Sequence, residues 1–279
     1  MSGFVLMPLL HDPGPPRSKI AVLCLPSSTQ GQAMGNPTHF SLEVPKRAHQ
    51  LLRDLYEHLG DSDGTGLSMK ATFLLSVSMP IVILPIERIL KYKRNPAEVH
   101  MNDAIINARL ADAVDQALDF DGKVQDTKFF AGSWQYAVLE KGYGFPNLAA
   151  DGLPINVAEQ LDSPNAIEDA RNLSANRFCK ILRNALAHGG VLYLDQNGRS
   201  VPGSPVRRFA FVSTDNPKNP TKLFFLRIKM ADYRLFLERW IDWLNEEAME
   251  VILAENLGLE ATDAEEVTSI GDIAVNTAK

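Results

Sequence analysis

Phe178-Cys179-Lys180-Ile181-Leu182-Arg183-Asn184-Ala185-Leu186-Ala187-His188-Gly189 is the stretch that decides how this chain folds. Phe178, Leu182, Ala185 and Leu186 recur at the three- and four-residue spacing of a helix with one apolar face. Gly189-Gly190 supplies a stop, because glycine readily adopts the left-handed conformation in which helices end. Upstream, Ser163-Pro164 reads as an N-cap followed by proline at the first helical position, so a helix is predicted from there to His188. Near its end, a permanently charged guanidinium (Arg183), an amide (Asn184) and an imidazole that titrates near neutrality (His188) fall within six residues.

The flanking sequence extends the helical pattern. Val44 to Leu59 carries Ala48, Leu51, Leu52, Leu55 and Leu59 at helical spacing. Ser68 to Lys93 is strongly apolar and predicts a buried helix, kinked or broken near Pro80 and Pro85. Ala97 to Leu118 has no glycine or proline and reads as a helix, and Thr127 to Lys141 reads as another, closed by Gly142. After Gly190 the period changes. Val191 to Leu194, Phe209 to Val212 and Leu223 to Ile228 predict three antiparallel strands, with Asn197-Gly198 in the first connection. Ala231 to Asn256 returns to helix. The fold class is therefore mainly α, a helical bundle over 39–257 with a small three-stranded antiparallel β-meander at about 190–229, inserted before the C-terminal helix. Residues 1–38, rich in Pro, Gly, Ser and Gln, are expected to form a flexible leader, and 258–279 a disordered acidic tail.

Composition bounds the function. The 279 residues are 45% hydrophobic and 22% charged, ordinary for a soluble globular protein with a sizeable core. Cys24 and Cys179 lie in dissimilar settings and no Cys/His metal spacing occurs, so a reducing cytoplasm is expected, with no disulfide and no metal. The opening residues lack the basic start of a secretory signal. Phe73 to Ile86 is too short and interrupted for a bilayer, which takes about 20 residues, so no membrane partner is expected. His100 and Asp103 lack a second ligand pair, and the loop Gly60 to Gly66 has Thr72 where a calcium loop needs a glutamate. No nucleotide fingerprint or nucleophile elbow is present, and no cofactor is expected.

The net charge of −6 argues against nucleic-acid binding, but its distribution does not. Residues 246–279 hold nine acids and one base, which leaves +2 over residues 1–245. Arg171 to Gly190 holds Arg171, Arg177, Lys180 and Arg183 with no acid, so Lys180 and Arg177 are expected to contact an anionic substrate; a solvated basic helix face is the plainer alternative. Lys91-Tyr92-Lys93-Arg94 and Arg207-Arg208 are smaller basic clusters, each either a track for a phosphate backbone or a solvated end. Trp240 and Trp243 suit a core or a dimer interface better than base stacking. A carboxylate at Glu87 is placed to anchor Arg183 or Arg88.

The segment from Phe178 to Gly189 resembles the Arg-Asn-x-x-x-His motif of HEPN-domain ribonucleases, through Arg183, Asn184 and His188. The resemblance implies a bundle of four or more helices with the motif on a late helix. It also implies dimerisation around a shared cleft and RNA cleavage without metal, with Arg183, Asn184 and His188 catalytic. A role as a toxin or in phage defence, beside an antitoxin or defence-system partner, follows from the same resemblance. Residues five apart on a helix diverge by about 140°, so Arg183 and His188 do not share one stripe, whereas Asn184 and His188 do, and the amide is placed to orient the ring. Two other readings remain open. The motif belongs to a non-catalytic RNA- or protein-binding module, or His188 merely meets the negative end of the helix dipole, worth about 0.3–1 kcal/mol when exposed, while Arg183 pairs with a carboxylate.

Overall fold

The helix that carries the motif is held at both ends by its own sequence. In the computed structural model, which describes residues 40–60, 69–90, 112, 122–142 and 144–256, its N-cap is Ser174, whose Oγ accepts the Arg177 N–H at 3.2 Å. Its C-cap is His188; Gly189 follows at φ +70°, and the Gly190 N–H donates to the Ala185 carbonyl at 2.7 Å, a Schellman closure. The predicted glycine stop is therefore present.

The chain enters through α1 (Phe40–Leu55), a 3₁₀ turn (Tyr56–His58) and α2 (Met69–Ser78), which continues through π turns at Met79–Ile83 and Ile86–Leu90. After a 3₁₀ turn at Val124–Asp126 come β1 (Gln135–Glu140), α3 (Leu148–Asp151), α4 (Ile155–Asp162), α5 (Asn165–Arg171) and α6 (Ala175–Ala187). The chain closes with β2 (Val191–Leu194), β3 (Arg208–Thr214), β4 (Lys222–Lys229) and α7 (Met230–Asn256). The sheet is fully antiparallel in the order β1-β4-β3-β2.

Four strands replace the predicted three. The helix expected over Thr127 to Lys141 is a turn, a loop and strand β1. Gly132 stops helical continuation at φ +85°, and a Cβ there would meet the Asp232 Cβ at 2.9 Å. The strand lacks alternation because both of its faces are covered: Tyr136 and Val138 pack toward the main core, Ala137 and Leu139 toward a second core under α4. The single helix expected from Ser163 to His188 is two. Ser163 caps the end of α4, Pro164 is the N-cap of α5, and the break at Asn172–Ser174 is fixed by residues 122–124. There the Val124 N–H donates to the Leu173 carbonyl at 2.7 Å, and the Ala175 N–H donates to the Gly122 carbonyl at 3.2 Å.

The main core gathers α1, α2, α6, α7 and one face of the sheet around Trp134. The Trp134 ring meets Phe178 at 4.9 Å and Phe236 at 5.3 Å, edge to face, and its indole N–H donates to the Ala131 carbonyl at 2.9 Å. Phe178, Leu182, Ala185 and Leu186 are all buried, as their spacing predicts. Trp240 and Trp243 are buried too and pack against Phe129.

The apolar segment around Pro80 and Pro85 does not break. Pro85 has no N–H for the Ile81 carbonyl four residues back, and that carbonyl instead accepts the Trp240 indole N–H at 2.9 Å. Tyr233 donates to Ser78 Oγ at 2.7 Å one turn earlier. The helix Met69–Arg88 is thus continuous over 20 residues and contains an 18-residue window with a mean hydropathy of 1.8, long and apolar enough to cross a membrane, which corrects the expectation that the segment is too short. Half of that stretch is buried inside the protein, against α1, α6 and α7.

The expected leader 1–38, the helix at Ala97 to Leu118 apart from residue 112, the loop after Gly60, the cluster Lys91 to Arg94, His100, Asp103, Cys24 and the tail 258–279 lie outside the described residues.

Gly190 lies so close to β3 that a Cβ would meet the Val212 carbonyl oxygen at 2.4 Å, while Gly142 has nothing within 4 Å. Gly190→Ala is expected to cost about 2 kcal/mol and to lower Tm by roughly 4–8 °C for a chain of this size. Gly142→Ala should melt with the wild type; equal melting of both variants in a thermal scan contradicts the close packing.

Candidate functional site

Three elements converge on the motif. Arg183 and Asn184 lie in the last turn of α6, Glu87 lies in the final π turn of the α2 helix, and Ser213 lies near the end of β3. The Gly190 N–H and carbonyl bracket the junction: one bonds Ala185, and the other accepts the Val212 N–H at 2.7 Å. The end of α6 is thereby fixed beside Ser213.

Arg183 and Glu87 form an ion pair in which both side chains are 27% exposed. The guanidinium Nε and Nη2 both donate to Glu87 Oε1, and Nη1 donates to Asn184 Oδ1 at 2.7 Å. Glu87 is thus the carboxylate that anchors Arg183. The Asn184 Nδ2 donates to Ser213 Oγ at 3.3 Å, and that hydroxyl reaches the Thr214 carbonyl at 3.3 Å. The amide therefore spends both its ends on Arg183 and Ser213, and no bond from it to the His188 ring occurs among the described residues. The expected ring-orienting role of Asn184 is replaced by orientation of the guanidinium. Of the five N–H donors of Arg183, three are engaged by Glu87 and Asn184, and two have no partner among the described residues.

His188 is exposed at the helix C-cap, and its backbone N–H donates to the Asn184 carbonyl at 3.0 Å. Its ring has no hydrogen-bond or ion-pair partner among the described residues. Lys180 is exposed on the same helix. Arg177 is half-buried; its guanidinium lies 3.9 Å over the Phe224 ring and beside Tyr136, whose hydroxyl is pushed up by burial against the opposing pull of Arg177. Arg177, Asn184 and His188 thus fall on one flank of α6, where Arg177 meets β4 through Phe224 and Asn184 meets β3 through Ser213. Cys179 is buried, and burial raises its thiol well above the usual range, which keeps it neutral and unreactive. Among the described residues, no group of three or more His, Cys, Asp or Glu side chains could hold a metal ion.

Sequence reading singled out Arg183, Asn184, His188 and the carboxylate at Glu87, and the structure brings Arg183, Asn184 and Glu87 into contact. It missed Ser213, a polar residue in an apolar strand pattern that carries no signal of its role until β3 is packed against α6.

A helical bundle with this Arg-Asn-x-x-x-His turn at the end of a late helix defines a class. Residues 34–250 match the family model described as HEPN pEK499 p136. The chain belongs to the HEPN family. No curated protein and no solved structure matches it.

Loss of either partner of the Arg183–Glu87 pair leaves the other charge partly desolvated. Each single alanine variant is expected to cost about 1–2 kcal/mol, between an exposed and a buried pair. A double-mutant cycle in urea should return a coupling of at least ~1 kcal/mol; strict additivity contradicts the pairing.

Proposed function

We propose that this protein is a metal-independent endoribonuclease with its site at the end of α6. The observation that carries the reading is a guanidinium held by Glu87 and Asn184, with two donors unspent, on the same helix end as the exposed imidazole of His188. RNA brings its own nucleophile, the 2′-hydroxyl beside each phosphate. His188 accepts the 2′-hydroxyl proton, the 2′-oxygen bonds to phosphorus, and the bond from phosphorus to the 5′-oxygen breaks as that oxygen takes up a proton from water. Arg183 stabilises the charge that develops on the phosphate oxygens. The products are a 2′,3′-cyclic phosphate and a 5′-hydroxyl. Asn184 is a positioning residue in this scheme, and Lys180 and Arg177 contact the flanking backbone.

Arg183 and His188 point from different sectors of one helix, so the reading includes a two-fold dimer that brings two such ends around one cleft. A cytoplasmic toxin or phage-defence component, restrained by an antitoxin or a defence-system partner, is the setting that fits such an enzyme.

A second reading is favoured by two observations: Glu87 formally neutralises Arg183, and no described group orients the His188 ring. A non-catalytic HEPN module that binds RNA or a protein needs neither a bare cation nor an oriented base.

Purified protein should cleave single-stranded RNA in excess EDTA and leave cyclic phosphate ends. His188→Ala should slow cleavage by at least about 100-fold with the melting temperature unchanged. Cleavage by that variant at the wild-type rate removes His188 from the mechanism, and no cleavage by the wild type favours the binding module.

A further inference from the structure

A second cationic feature lies at the other end of β3 from the motif. Arg208 opens the strand, five residues before Ser213, which places it about 17 Å away at the rise of an extended strand. There a cleft of about 600 Å³ is lined by Lys70 from α2, Arg207 and Arg208 at the start of β3, Lys229 at the end of β4, Gln196 from the β2–β3 connection and Tyr56. Among the described residues, no Asp or Glu lines it. Arg208 and Lys229 are direct cross-strand partners, a like-charge pair that costs stability in the free protein. Arg207, Arg208 and Lys229 have no carboxylate partner among the described residues, although other surface cations of this acidic chain do, such as Lys222 with Glu140 at 2.7 Å.

The loop that presents Gln196 is built to sit tightly over this charge. Asp195 Oδ1 accepts the N–H groups of Asn197 and Arg199 at 2.8 and 2.9 Å, and Gly198 turns at φ +76°. A Cβ at Gly198 would lie 2.5 Å from Nη1 of the fully buried Arg227 and 3.8 Å from Nη1 of Arg208. Arg227 Nη1 has no hydrogen-bond partner among the described residues, although Nε and Nη2 are held by Gln135 and Asp162. A third guanidinium therefore lies under the same turn that Arg208 approaches.

The lining also says what the cleft does not bind. The Tyr56 ring is buried and already covered by Lys70 at 5.4 Å and Arg234 at 4.6 Å, so it offers no free face for a base. What remains is several cations and one amide in an open groove, suited to phosphate oxygens and indifferent to base identity.

We propose that this cleft is a second contact for RNA, gripping backbone phosphates a few nucleotides from the scissile one. The inference rests on the reading of the protein as an RNA-directed enzyme, and deepens it: the motif end cuts, and the Arg207–Lys229 end holds the strand without reading its sequence. In a chain of net charge −6, such a local cluster overcomes the general repulsion of a polyanion.

The test uses the full chain and a fluorescein-labelled single-stranded RNA of mixed sequence whose 2′-hydroxyls are methylated, so that it binds without being cleaved, with anisotropy measured over a range of KCl in excess EDTA. Arg207 and Lys229 are exposed and Lys229 opposes Arg208, so the double variant R207A/K229A should melt no lower than the wild type. It should bind the RNA about tenfold more weakly, with the salt slope reduced by roughly 1.4, about 0.7 for each phosphate that is no longer neutralised. In cleavage assays KM should rise by a similar factor with kcat unchanged. The double variant K141A/K218A removes the same charge from exposed positions elsewhere and should bind within about twofold of wild type. Unchanged affinity and slope in R207A/K229A, with cleavage intact, overturns the cleft and leaves the nuclease reading standing. Cleft-dependent binding without cleavage upholds the cleft and removes the nuclease. No RNA binding by the wild type overturns both.

Discussion

The approach of Gly190 to β3 is the constraint on which the rest of the structure depends. The glycine N–H closes α6 on Ala185 while its carbonyl receives the Val212 N–H, so helix and strand share one residue at their junction. Because no side chain fits between Gly190 and the Val212 carbonyl, the helix end stands against β3 at backbone contact distance. That distance puts the Asn184 amide within reach of Ser213, and Asn184 in turn steers the guanidinium of Arg183. The motif is rigid through its backbone first and its side chains second.

Glu87 reaches Arg183 only because the α2 helix survives two prolines. An ordinary helix leaves a carbonyl without a partner at each, and in an apolar core an unmet carbonyl is costly. Here the turns widen to π geometry and the Trp240 indole takes the Ile81 carbonyl, so α7 repairs α2. The Tyr233–Ser78 bond adds a second tie one turn away. A core contact between elements far apart in sequence is thus what delivers the carboxylate to the site. The same packing explains why a helix of bilayer length and hydropathy lies against α1, α6 and α7.

Both polar ends of β3 hold function in the proposed account, with apolar strand between them. Phe209 and Phe211 face the main core, and Ala210 and Val212 lie toward the other face of the sheet, where the second core sits under α4. β3 therefore serves as a fixed spacer between the Asn184–Ser213 contact and the Arg207–Arg208–Lys229 cleft. The two sites keep their separation because the strand that joins them is buried along most of its length.

Local sequence determined the apolar face of α6 and its glycine stop, the three strands after it, the long last helix, and Arg183, Asn184 and His188 as the residues of interest, because periodicity, glycine conformation and charge are properties of neighbours along the chain. Glu87 was legible as an isolated carboxylate in an apolar helix, though not which arginine it would meet. Only the tertiary structure decided that Gln135 to Glu140 is a strand, since covering both of its faces erased the alternation that marks one. It also decided that the helix before α6 breaks at Asn172–Ser174, where residues 122–124 take over the hydrogen bonds that the helix would have made to itself. And it decided that Asn184 serves the arginine and not the imidazole, because Ser213 lies where only the folding of β3 against α6 could place it.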